Sequence, residues 1–137
     1  MDCIFCKIVT NTIQAVKVYE DAEFVAFLDI HPVRPGHTLV VPKVHYARFD
    51  VTPPEVVAKL WQVAQKVAAG VSRATQADGY NISINNGRAA GQVIWHTHVH
   101  IIPRVSSDGL DLWPQSEYQG SEAERVAQAI RQAIKIS

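Results

Sequence analysis

Three histidines at alternate positions, His96-Thr97-His98-Val99-His100, are the most chemically capable stretch of this sequence. The segment from Trp95 to Ile102 is rich in apolar and β-branched residues and reads as a strand. Side chains on a strand alternate faces at a rise of about 3.3 Å, so the three imidazoles project from one face, about 6–7 Å from one to the next. Thr97, Val99 and Ile101 then point the other way, into a core. Two chemistries use such a row. His-x-His on a strand can aim two imidazoles at one metal ion. Alternatively, one imidazole attacks phosphorus while its neighbours bind phosphate oxygens or donate protons. Imidazole suits that role because its ordinary pKa of about 6.5 leaves it mostly neutral, and so nucleophilic, at pH 7. Spacing leaves both open.

The surroundings add two further features. Gly87-Arg88-Ala89-Ala90-Gly91-Gln92 forms a glycine-containing loop leading into the histidines, of the kind whose backbone N–H groups can approach an anion. It carries no Walker-type lysine. Near the N-terminus, Cys3-x2-Cys6 has zinc-ligand spacing but needs two more ligands from elsewhere in the chain. A redox Cys-x-x-Cys fits less well, because the pair follows no strand of a thioredoxin-like βαβ pattern.

The elements that must position these groups are legible in outline. Val16–Tyr19 and Glu23–Leu28 read as a hairpin, and His37–Val41 as a third strand after the proline- and glycine-rich loop Ile30–Gly36. Thr52, Pro53 and Glu55 resemble a capping box opening a helix whose apolar stripe runs Val56, Leu60, Val63, Val67 and Val71. Val57, Trp61, Ala64 and Ala68 widen that stripe beyond one face, which calls for a second cover such as another subunit. Tyr80–Ile84 alternates as a fourth strand, and the histidine segment makes a fifth. A last helix is expected from Ser121, capped with Glu124, its buried stripe formed by Val126, Ile130 and Ile134. Together these give one α+β domain over residues 1–137, an antiparallel sheet of about five strands with two main helices.

Thirteen Lys and Arg balance thirteen Asp and Glu, so the chain has no excess positive charge to attract a nucleic-acid backbone. No apolar run reaches the roughly 18 residues of a membrane span, and Met1-Asp2-Cys3 does not open a secretory leader. A cytoplasmic location is therefore expected, without membrane or nucleic-acid partners.

The pattern Gly91-Gln92-x3-His96-x-His98-x-His100 resembles the signature of the histidine triad (HIT) family. Cys3-Ile4-Phe5-Cys6-Lys7-Ile8, Ala26-Phe27-Leu28-Asp29-Ile30 and Pro35-Gly36-His37-Thr38-Leu39-Val40-Val41-Pro42-Lys43-x-His45 extend the resemblance over most of residues 3–104. It implies a hydrolase of adenosine phosphoramidates or related nucleotidyl compounds, working through a nucleotidyl-histidine intermediate without a catalytic metal. By position, His98 is the nucleophile, and His100 and Gln92 hold the phosphate or assist the leaving group. Asn85 contacts the same region and His37 stands beside the nucleophile. Asp29 accepts the ribose hydroxyls, while Ile4, Phe5, Ile8, Phe27 and Ile30 form the slot for a purine base of AMP type. The branch resembled is the general bacterial, Hint-like one with an N-terminal cysteine pair. There Cys3, Cys6, His45 and His96 would close a structural zinc site, and the wide-striped helix would lie at a homodimer interface.

A few positions separate the branches. His100 rather than Gln sets the chain apart from the nucleotidyltransferase branch. Pro103-Arg104 resembles the dinucleoside polyphosphate hydrolases, which makes that activity the alternative. Val93 departs from the Ser or Thr usual after Gln92 and offers no donor to a leaving group. That leaves catalytic rate open, and a nucleotide- or metal-binding regulatory protein with little turnover as a further reading.

Overall fold

A computed structural model describes residues 2–136 of the chain. Its elements run α1 (Ile4–Val9), β1 (Lys17–Glu20), β2 (Phe24–Leu28), β3 (Thr38–Pro42), α2 (Pro54–Ala74), β4 (Gly79–Ser83), β5 (Val99–Arg104) and α3 (Glu122–Ile136). The strands make one antiparallel sheet in the order β1-β2-β3-β5-β4. The α+β class and the five-stranded sheet are as the sequence indicates.

β2 and β3 are buried along almost their whole length because both faces of the sheet are covered. Phe24, Ala26, Val40, Val99 and Ile101 pack on one face against Leu60, Val63, Ala64, Val67 and Ala68 of α2. Leu60, fully buried there, contributes about 2–3 kcal/mol by area alone. On the opposite face Val25, Phe27, Leu39 and Val41 pack against Cys3, Phe5 and Ile8 of the α1 segment. The site forms on this second face.

Three expectations need correction, and one element is additional to them. The N-terminal cysteine segment is a short helix, which its sequence did not announce. Cys3 caps it, its Sγ accepting the Cys6 N–H at 3.5 Å, and the left-handed Asn11 (φ 61°) turns the chain away after it. The histidine strand starts only at Val99: the Thr97 N–H donates to the Tyr46 carbonyl at 2.7 Å, so the chain leaves the ladder before His98. Even so, residues 96, 98 and 100 keep the α1 side and Val99 and Ile101 the α2 side.

Thr52 does not cap α2. Its buried hydroxyl bonds the Arg48 carbonyl and Thr97 Oγ1, both at 2.8 Å, and α2 begins at Pro54 behind Pro53. In α3, Ile130 and Ile134 are 53% and 67% exposed, because the helix lies outside both core clusters and the sheet already has its covers. Ala64 and Ala68 of the widened α2 stripe are buried against the sheet, whereas Trp61 stays 38% exposed and has no such cover in the single chain. Among the described residues, no helix is long and apolar enough to cross a membrane.

Candidate active site

A cavity of about 480 Å³ opens between α1 and the end of the sheet. Ile4, Phe5 and Ile8 of α1 form one wall, and Phe27, Asp29 and Ile30 at the end of β2 form another. His98 and His100 lie at its inner end. The sheet positions them: Leu39 of β3 pairs with His100, and Val40 pairs with Val99. Phe5 stands edge-on to both Phe27 (5.4 Å between ring centres) and His98 (5.0 Å), so the nucleophile candidate packs directly on the slot wall. All six residues expected to hold a nucleoside therefore line one cavity.

Hydrogen bonds fix the imidazole tautomers, since a carbonyl only accepts and an amide only donates. His98 Nδ1–H donates to the His96 carbonyl at 2.6 Å, which leaves the lone pair on Nε2. The Val33 N–H donates to His37 Nδ1 at 3.1 Å, so the His37 proton sits on Nε2. From there it is donated to His100 Nδ1 at 3.0 Å, which puts the His100 proton on Nε2. The arrangement is a lone pair on His98 beside an N–H donor on His100, with 4.9 Å between their ring centres.

Burial favours these neutral forms. It holds His98 and His37 below the usual imidazole range, opposed only in part by the His96 carbonyl and then Asp29 at His98, and by Asp29 at His37. His100 is pushed down to about 4 by burial first and then by the neighbouring His98 and His37. A folded-state pKa below the unfolded one means that the unfolded chain binds more protons on acidification. Stability contributed by His100 is thus full above about pH 6.5 and lost as pH falls toward about 4, and His37 acts in the same direction. The melting temperature, measured in chelator, should fall from pH 7 to pH 5, and His100→Asn should flatten that slope. An unchanged slope in the variant counts against the assignment.

Asp29 carries two tasks. Its Oδ1 accepts the His31 N–H at 2.9 Å, and its Oδ2 lies 3.7 Å from His37 Nε2 at the cavity edge. Gln92, in contrast, is turned inward. It is 4% exposed, its Nε2 donates to the Ala47 and Ile94 carbonyls, and its Oε1 accepts the Gly87 N–H. The structure thus gives it the task of bracing the loop. That loop also spends its own amides internally: the Ala90 and Gln92 N–H groups donate to Gly87 O, and that of Gly91 donates to Arg88 O. Gly91 (φ 93°) makes the turn possible, with Asn85 against it at 3.5 Å from a would-be Cβ. Val93 is 82% exposed on the cavity rim. Ile13, Gln14, Ala15, His31 and Leu39 also line the cavity, and no motif in the sequence marks them for that role. The first three follow α1, whose helix the sequence does not signal.

Behind Phe5 lies a second group. One ligand atom each from Cys3, Cys6, His45 and His96 fall within 4.8 Å of one another. Cys3 Sγ is 3.5 Å from His96 Nδ1, and Cys6 Sγ is 3.4 Å from His45 Nδ1 and 3.7 Å from His96 Nδ1. A tetrahedral zinc ion with ordinary Zn–S and Zn–N bonds needs S···N separations of about 3.6 Å. His96 Nε2–H donates to the Pro42 carbonyl at 2.7 Å, turning the Nδ1 lone pair toward the sulfurs. Zinc fits these four residues. Asp29, His37 and His100 also cluster within 4.8 Å, but the proton on His37 Nε2 closes that group with its own hydrogen bond.

The HIT domain family matches residues 10–107. The chain is 45% identical over 109 residues to adenylylsulfatase HINT3 of Arabidopsis thaliana, covering 80% of this chain but spanning only 55% of that relative's length. It is 39% identical to adenosine 5'-monophosphoramidase hnt1 of Schizosaccharomyces pombe, over 98% of this chain and 100% of that one. Among solved structures, a Zn-bound histidine triad family protein from Mycobacterium smegmatis superposes with a TM-score of 0.77 at 38% identity, covering 100% of this chain and 99% of that one. Sequence match, shared sheet and histidine geometry agree, and the chain belongs to the HIT family.

Proposed function

We propose that this protein hydrolyses adenosine phosphoramidates or closely related nucleotidyl compounds through a covalent intermediate on His98. The observation that carries the reading is the 2.6 Å bond from His98 Nδ1–H to the His96 carbonyl, which holds the lone pair on Nε2 in a buried imidazole kept neutral. In the first step His98 Nε2 forms a bond to the α-phosphorus. The bond from phosphorus to the leaving nitrogen breaks, and its electron pair stays on that nitrogen, which takes a proton from water at the open rim. His100 Nε2–H donates to a phosphoryl oxygen as charge spreads over the group. Water then attacks phosphorus and gives a proton to the hydroxide left at the rim, the P–N bond to His98 breaks with its electron pair returning to Nε2, and the nucleotide leaves with the imidazole restored. Val93 brings no hydroxyl to the leaving group, so proton delivery there falls to solvent.

Two named relatives, an adenylylsulfatase and an adenosine 5'-monophosphoramidase, support a nucleotidyl substrate. The dinucleoside polyphosphate alternative is less well supported. The cavity lining contains no Lys or Arg to balance a polyphosphate, and Arg104 is occupied by Asp108, Asn81 and the Leu110 carbonyl. Brief exposure to adenosine 5'-phosphoramidate followed by intact-mass measurement should detect one adenylyl adduct per chain, absent in His98→Ala. Turnover with no adduct on His98 ends the covalent reading.

The Cys3, Cys6, His45 and His96 group is proposed to hold a structural zinc ion, joining α1 to the sheet. The exposed Trp61 on α2 supports a homodimer with that helix at the interface. A cytoplasmic location without nucleic-acid or membrane partners is proposed with it, on the balanced charge of the chain. Light scattering at micromolar concentration should give twice the 15.2 kDa chain mass, and a monomer mass would end the dimer reading.

A further inference from the structure

We infer that zinc at the cysteine–histidine group and nucleotide in the cavity are energetically coupled through α1 and His96, each tightening the binding of the other. The inference rests on the zinc and nucleotide readings above, and concerns regulation of that same site. α1 is only six residues long, too short to hold its shape alone, so its position depends on what anchors it. Cys3 and Cys6 present one side of this segment to the metal group, while Ile4, Phe5 and Ile8 form a wall of the nucleoside slot. A metal bond to Cys6 therefore fixes the wall from behind. A base wedged against Phe5 and Ile8 fixes the two sulfurs from the front.

Two contacts carry the coupling across. Phe5 stands edge-on to both His96 and His98, at 5.8 and 5.0 Å, touching a metal ligand and the nucleophile at once. His96 would be tied at both ring nitrogens, to the ion through Nδ1 and to Pro42 O through Nε2. Its backbone carbonyl is also the group that sets the His98 tautomer. Losing the ion removes the Nδ1 tie on His96 and both sulfur ties on the α1 segment at once, leaving His96 held by Pro42 O and α1 by its buried side chains, so the slot wall and the nucleophile's anchor loosen in one event. Order that one ligand has already imposed need not be imposed again by the second.

Coupling of this kind is reciprocal, and factors between about 5 and 150 are typical. The test measures both sides of the cycle on the full-length protein. Zinc affinity is measured by competition with a chromophoric chelator, with and without saturating AMP, and AMP affinity is measured calorimetrically on zinc-loaded and zinc-stripped protein. Each factor is expected at about 10-fold, and the two must agree. Adenosine, which has no phosphate to bind free zinc, should shift zinc affinity in the same direction. The zinc-competition arm starts from loaded, folded protein, so it reads the coupling even if the stripped protein unfolds. If zinc and AMP both bind but the zinc affinities agree within about twofold, the coupling is wrong while the two site readings stand. If no zinc binds, the zinc reading falls with it, and if AMP fails to bind loaded protein, the nucleotide reading falls instead.

Discussion

His98→Ala is expected to lower turnover on adenosine 5'-phosphoramidate by roughly 10⁴-fold or more, while AMP affinity changes only a few fold. The magnitude is the upper end of what one positioned proton-transfer group contributes, and for a nucleophile it serves as a floor. Binding is expected to survive because Asp29 and the apolar walls from α1 and β2, proposed to hold the nucleoside, line the cavity independently of the imidazole. His98 is nearly buried and stacked edge-on to Phe5, so alanine leaves a void beside the slot. His98→Asn controls for this: its amide can still donate to the His96 carbonyl and fill most of the space, yet it has no nucleophilic nitrogen. Both variants should lose kcat together. Residual turnover within about tenfold of the parent protein in His98→Asn would place the nucleophile elsewhere.

The fold and the cavity differed in how readily they could be read from the chain. α2 was evident because Leu60, Val63 and Val67 repeat at the helical period and all three are buried. The row of histidines kept its side of the sheet although strand pairing begins only at Val99, since alternation continues in any extended chain. What escaped notice depends on distant partners. The hydroxyl of Thr52 is drawn from a helix cap to Thr97, forty-five positions away. The amide of Gln92 is taken up by the Ala47 carbonyl, a pairing that no local pattern encodes. α1 is a six-residue helix held by burial of Phe5 and Ile8 and by the Cys3 cap. Its sequence looks like a cysteine motif, and that motif does not specify backbone shape. The stripe of α3 has the helical period but lies outside both cores, because periodicity identifies an apolar face without saying what covers it.

Removing zinc is expected to cost the protein about 10 °C of melting temperature. A ligand held by the folded state alone stabilises it according to its concentration relative to Kd, contributing about 3–4 kcal/mol at 10²–10³ times Kd. At about 2–4 °C per kcal/mol for a chain of this size, chelation should shift the transition by roughly that amount. The site is placed to act this way. Cys3 and His96 are buried, and the four ligands join α1, the stretch after β3 and the segment before β5. Those segments are far apart in sequence, so the unfolded chain offers no preformed site and the binding energy goes into folding. Cys6→Ser separates this from general damage by the chelator. It removes one sulfur but leaves Cys3 to cap α1, so the variant should melt near the temperature of the stripped parent protein and show no further loss in chelator. A parent protein that contains one zinc per chain yet melts unchanged after stripping would mean that α1 is anchored by Phe5 and Ile8 alone, with the ion contributing nothing to the fold.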